Sequence, residues 1–129
     1  MGPLGPSLWV GVGGFLGATA RYALGVWLGA RLGAAFPYAT LLVNVSGSLA
    51  IGVLAALLTE RAAPAWRLLL VVGFLGGYTT FSSYALEAVA LAQRGEWGRG
   101  LWYVVGSNGL ALAACAAGLA IAGAGARAP

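Results

Sequence analysis

The 129-residue chain is 60% hydrophobic and 8% charged with a formal net charge of +4, and its mean hydropathy is +0.89, whereas soluble domains carry roughly a quarter charged residues. So little polar surface excludes a water-facing fold and makes the bilayer the solvent, in which every backbone N–H and C=O must be paired internally. Histidine is absent and Cys115 is the lone cysteine, which excludes an intrachain disulfide, a cysteine-based zinc site and the commonest catalytic base.

Apolar and polar residues nowhere alternate with period two, so the expected spans are helices and not barrel strands. A helical span needs about 20 mostly apolar residues, and four such stretches are expected. The first, 8–28, is bounded by Arg31 and Pro37. It lacks a basic leading segment and further spans follow, so it reads as a span and not as a cleaved signal peptide. Its middle is Gly13-Gly14-Phe15-Leu16-Gly17-Ala18-Thr19-Ala20-Arg21-Tyr22. An arginine inside a bilayer is costly: Arg21 either snorkels to the interface, or supplies a fixed positive charge beside an anion path, or ties polar groups of a neighbouring helix.

The second span, 38–58, ends at Thr59-Glu60-Arg61 with Pro64 in the turn. Thr40, Asn44 and Ser48 lie at i, i+4 and i+8 and share one helical stripe. Their amide and hydroxyl protons can donate to an anion without adding a competing charge; interhelical glue is the plainer alternative.

The third span, 66–92, contains Gly73-Phe74-Leu75-Gly76-Gly77-Tyr78-Thr79-Thr80-Phe81-Ser82-Ser83-Tyr84-Ala85-Leu86-Glu87. Its glycines and paired threonines make a poor helix centre, so a break is expected, tolerated only where the backbone is buried or lines a cavity. Unwound carbonyls at a break can coordinate a cation, and half-helix N-termini attract anions. Beyond it, Thr80, Ser83 and Glu87 share a polar face, while Phe81 and Tyr84 share the next one, a pair that is ordinarily core packing. The fourth span, 100–122, follows Gln93-Arg94-Gly95-Glu96 and places Tyr103 and Ser107 one turn apart.

Trp9, Trp27, Trp66, Trp97 and Trp102 fall near the expected span ends, as an interfacial belt would place them. Small residues recur four apart at Gly13/Gly17, Gly25/Gly29, Ser48/Gly52, Gly73/Gly77 and Ala114/Gly118, a spacing that lets helices approach closely in lipid. The connections are too short for a soluble domain, so residues 1–129 form one all-α domain of four transmembrane helices, the third broken.

All seven basic residues are arginines, scattered singly between apolar runs, which suits membrane flanking and not a nucleic-acid partner. Arg61, Arg67 and Arg127 fall on one side of a four-span chain, and Arg31, Arg94 and Arg99 on the other. Three against three leaves the positive-inside rule without a preference, so the chain is expected to insert both ways and to pair as an antiparallel homodimer. Glu87 is the sole acid within a span and no base accompanies it, so an enzyme is not expected.

Residues 13–22, Thr40-Leu41-Leu42-Val43-Asn44-Val45-Ser46-Gly47, residues 73–87 and Tyr103-x-x-x-Ser107 together resemble the CrcB/Fluc family of fluoride channels. The resemblance runs through all four spans in order, and the third segment is its most specific part. It implies a dual-topology homodimer in the inner (plasma) membrane, with two pathways that export fluoride passively from the cytoplasm. It further implies a fluoride pathway through Asn44, Phe81, Tyr84, Ser107, Tyr103, Thr40 and Ser83, in which Phe81 and Tyr84 present their electropositive ring edges. Arg21 and Glu87 match the family's charged positions, and the carbonyls of Gly76 and Thr79 match those that hold a structural sodium ion on the dimer axis.

Two residues depart from the family pattern. Tyr78 replaces a small aliphatic residue, and Tyr84 stands where a second phenylalanine is common. Tyr84 keeps the aromatic edge and adds a hydroxyl that binds the ion or obstructs it; on the ring edge alone, Tyr84→Phe is expected to retain substantial flux. The alternative function is a dual-topology multidrug proton antiporter, for which Glu87 is the one candidate carboxylate.

Overall fold

The computed structural model describes residues 4–58 and 63–125. Glu60 and Arg61, expected in the second connection, and Arg127 beyond the fourth span lie outside the described residues. Among the described residues all regular structure is helical: α1 (Leu4–Leu32), α2 (Tyr38–Leu57), α3 (Pro64–Trp66), a π-helical stretch (Arg67–Leu75), α4 (Gly76–Tyr78), α5 (Phe81–Gln93) and α6 (Trp97–Gly125). Among the described residues three stretches are both long and apolar enough to cross a membrane: Tyr38–Leu57, Pro64–Gln93 and Trp97–Ala124. The sequence led us to expect four. With 29 residues, α1 is about 43 Å long against a hydrocarbon core of about 30 Å, but Arg21 and a run of glycines dilute its apolar character.

Two glycine seams set the packing. Gly13 and Gly17 of α1 face the π-helical stretch, where a Cβ on either would overlap the carbonyl oxygen of Leu69 or of Phe74. Backbones this close gain dispersion contacts where lipid supplies no hydrophobic drive. The second seam joins α2 to α6, with Gly52 against the Cys115 carbonyl and Gly118 against the Leu49 carbonyl. Gly25 and Gly29 differ from their expected role: a Cβ on either would meet nothing within 4 Å, so within one protomer that pair packs no helix.

Gly95 ends α5 in the left-handed region, at φ 78°. Its N–H reaches the Ala92 carbonyl at 2.9 Å and the Glu96 N–H reaches that of Leu91 at 3.0 Å, the paired bonds of a glycine-terminated helix. Glu96 then accepts from Arg94 Nε at 2.8 Å and from Arg99 Nη1 at 2.7 Å. Those two guanidinium bonds, that of Arg94 first, hold its carboxyl below the usual carboxylate range. At the same end Phe36 packs edge-on against Trp102 and Tyr103, with ring centroids 5.6 and 5.5 Å away, and Arg31 lies 5.1 Å from the Trp27 ring. The first and third connections therefore share one end of the bundle. Few large side chains are fully buried, chiefly Tyr103, Leu91 and Val43. Most large apolar groups, including all five tryptophans, face outward, an arrangement that only lipid or a second apolar surface can solvate.

Candidate functional site

The helical run that starts at Pro64 stops after Tyr78. Thr79 (φ −78°, ψ 156°) and Thr80 (φ −149°, ψ 122°) are extended, and the helix resumes at Phe81. The turn falls on the threonines and not on Gly76 or Gly77, because hydroxyl chemistry restarts a helix well. The Thr80 hydroxyl accepts from Ser83 N at 3.2 Å and lies 3.1 Å from Ser83 Oγ.

Groups from α1 and α2 satisfy the opened backbone. Asn44 clamps Thr80 from both sides: its Nδ2 donates to the Thr80 carbonyl at 2.9 Å, and its Oδ1 accepts from Thr80 N at 2.8 Å. Arg21 Nε donates to the Gly77 carbonyl at 3.1 Å, so of its possible roles the structure gives it the tie to a neighbouring helix. The Thr80 N–H, which a continuing helix would give to Gly76, goes to Asn44, and the Ser83 N–H goes to Thr80 Oγ1 and not to the carbonyl of Thr79. The carbonyls of Gly76 and Thr79 thus lose their regular partners. Both residues line one cavity of about 340 Å³.

That cavity also collects Asn44, Ser48, Phe81, Tyr84 and Ser107, and among the described residues no charged one lines it. Ser107 is 4% exposed, and its Oγ has no hydrogen-bond partner among the described residues. The Phe81 and Tyr84 rings are 5.5 Å apart; Phe81 is 77% exposed on the protomer and Tyr84 9%. A second cavity of about 500 Å³ gathers Arg21, Thr40, Ser83 and Glu87, and Thr80 lines both. Glu87 accepts from the Thr40 hydroxyl at 2.8 Å and from Tyr103 OH at 2.7 Å. Tyr103, fully buried, lines neither cavity; it reaches the site through its bond to Glu87 and through its ring, 5.3 Å from that of Tyr84.

The residues singled out in the sequence therefore fall into two groups on either side of Thr80. Two polar residues escaped the sequence reading. Asn108 donates to Tyr84 OH at 2.8 Å and to the Val104 carbonyl at 2.7 Å; an asparagine within an apolar span was the available signal, since such a group finds a partner in lipid. Ser46 meets the Tyr78 hydroxyl at 3.0 Å, and Tyr78 stacks on Phe74, which accounts for the bulk at that position.

Residues 8–119 match the family described as CrcB-like protein, Camphor Resistance (CrcB). The chain is 49% identical over 116 residues to a protein of Rhizobium meliloti (strain 1021) named fluoride-specific ion channel FluC, covering 88% of this chain and 93% of the relative. Proteins of the same name from Koribacter versatilis (strain Ellin345) and Solibacter usitatus (strain Ellin6076) are 47% and 52% identical over 109 residues, covering 83% of this chain in each case and 86% and 89% of the relatives.

Proposed function

The chain belongs to the CrcB-like family, and from that premise we infer that it is a fluoride-specific ion channel, a multi-pass membrane protein and not an enzyme. The observation on this chain that carries the reading is the cavity beside the 79–80 turn, lined by amide, hydroxyl and aromatic groups, with no charged group and with a buried serine hydroxyl that has no partner among the described residues. Fluoride is small and strongly hydrated, so a pore must replace its water with closely placed donors. A lining without fixed charge does this and still lets the ion leave. HF enters an acidified cell across the membrane and ionises inside. A passive leak drains the anion because the membrane potential favours its exit by about 2.3 kcal/mol per 100 mV. Glu87, the carboxylate that a proton-coupled antiporter would need free, is engaged by two hydroxyl donors.

In our reading the chain crosses the inner (plasma) membrane four times, with α1 as the first span and the third span broken at residues 79–80. Two oppositely inserted copies form the channel. The three-against-three division of the flanking arginines supports dual insertion, and the outward-facing apolar side chains leave surface for a second copy. Fluoride efflux from proteoliposomes, with chloride as the comparison ion, tests the function: fluoride leaves and chloride stays, and fluoride-tight vesicles would sink the reading. Several arginines added at the C-terminal end are expected to force one orientation and silence the channel, with activity restored by co-expressing an oppositely biased copy. Full activity of a single forced orientation would refute the antiparallel dimer.

A structural sodium ion on the dimer axis fits the residues present. The carbonyls of Gly76 and Thr79 have surrendered their helical partners and line one cavity, and such dipoles in a low dielectric repel one another unless a cation lies among them. The ion would supply charge compensation and join the two subunits. Replacing sodium with N-methyl-D-glucamine during purification is expected to lower the dimer's melting temperature, and sodium should restore it; a melting temperature indifferent to sodium would argue against the site.

A further inference from the structure

The Tyr84 hydroxyl is held in one sense by a neighbour on α6. Asn108 Nδ2 lies 2.7 Å from the Val104 carbonyl oxygen and 2.8 Å from the Tyr84 oxygen. A carbonyl only accepts, so the atom facing Val104 is the amide nitrogen, and an amide nitrogen only donates. The Tyr84 oxygen therefore accepts from Asn108. Among the described residues it has no other hydrogen-bond partner, so its own proton is left over. Tyr84 lines the cavity of about 340 Å³ beside Ser107, whose buried hydroxyl is likewise without a partner. Two O–H donors and the second N–H of Asn44 Nδ2, whose first goes to Thr80, thus border one uncharged space.

We propose that the Tyr84 phenol, turned by Asn108, donates a hydrogen bond to the permeating anion and sets its preference for a small, strongly accepting halide. The inference rests on the channel reading and adds two residues to it: Tyr84 as a donor through its hydroxyl and not only through its ring edge, and Asn108 as a positioning residue. Fluoride is the strongest hydrogen-bond acceptor among the halides, and a charge-assisted O–H bond is short. Chloride, larger and a weaker acceptor, gains less from the same donor, so the phenol adds selectivity as well as passage.

The test is fluoride and chloride efflux from proteoliposomes, normalised to assembled channel, for the parent, Tyr84→Phe, Asn108→Leu and the double variant. Tyr84→Phe keeps the ring and is expected to lower fluoride flux by about tenfold, the scale of one hydrogen bond to a charged group, and to lower the fluoride-to-chloride ratio. Asn108→Leu frees the phenol to turn and should lower fluoride flux severalfold in the parent but change nothing in the Tyr84→Phe background. Asn108→Gln, which keeps the amide donor, should recover part of the loss. A Tyr84→Phe channel equal to the parent in rate and ratio overturns the inference and leaves the ring-edge pathway standing. Additive effects of the two substitutions also overturn it, because a packing role for Asn108 needs no phenol. If Tyr84→Phe fails to assemble, Asn108→Leu with its glutamine rescue decides alone, and parental flux in Asn108→Leu is the refuting result. A fluoride-tight parent overturns the channel reading itself and the inference with it.

Discussion

Phe81→Ile lowers fluoride flux per assembled channel by at least about tenfold while the protomer folds as before. The reason lies in where the ring stands. A buried aromatic cut back in a core costs ~3–5 kcal/mol, but Phe81 is 77% exposed on the protomer, so the fold gains little from it. Its ring borders the cavity and sits 5.5 Å from that of Tyr84. Isoleucine keeps apolar bulk and loses the positive ring edge, the one property of phenylalanine that favours an anion. Dimer yield in detergent, helical content and efflux are measured on the same preparation. Unchanged flux per dimer would remove the aromatic edge from the pathway, and a fall in dimer yield matching the fall in flux would reduce Phe81 to an interface residue.

Asn44→Ala is expected to damage the protein before it reaches the ion. Both ends of the Asn44 amide are bonded to Thr80, at 2.9 and 2.8 Å, in a segment that has no helical neighbour to fall back on. Each buried polar group left unpaired costs about 1–3 kcal/mol, and here two lose their partner together. A drop in melting temperature of about 5 °C or more follows for a chain of this size, with less assembled channel and little flux. Ser48→Ala, one turn along the same stripe, removes no hydrogen bond of this kind and should keep the parental melting temperature. A stable but silent Asn44→Ala would mean that the clamp contributes little and that the amide serves the ion directly.

The sequence was informative where chemistry is local. Glycines and paired threonines drew attention to residues 73–80, where Thr79 and Thr80 are extended, and the spacing of Gly13 with Gly17 pointed to a close helix contact that the structure contains. Gly25 and Gly29 carry the same spacing and face open space, since a spacing names a face of the helix without naming what lies across it. Pairings between distant residues were illegible for the same reason. Thr40 and Glu87, Asn44 and Thr80, and Arg21 and Gly77 meet only once the helices are placed. The π-helical stretch at Arg67–Leu75 has no signature in residue propensity, because wide turns of this kind come from packing and not from side-chain preference. Asn108 could have been flagged as a polar group in an apolar span, but its attachment to Tyr84 could not.

The clamp at Thr80 also bears on the order in which the protein is made. Asn44 precedes Thr80 by 36 residues and Arg21 precedes Gly77 by 56. At ~5–20 residues per second, translation finishes the donors seconds before the carbonyls they serve emerge from the ribosome. The opened stretch need never wait in lipid without partners, because α1 and α2 can already be there to receive it. A gene rearranged so that the segment carrying residues 76–80 came first would ask the insertion machinery to hold an unpaired backbone in the bilayer until its partners were synthesised, a burden that the natural order of the chain avoids.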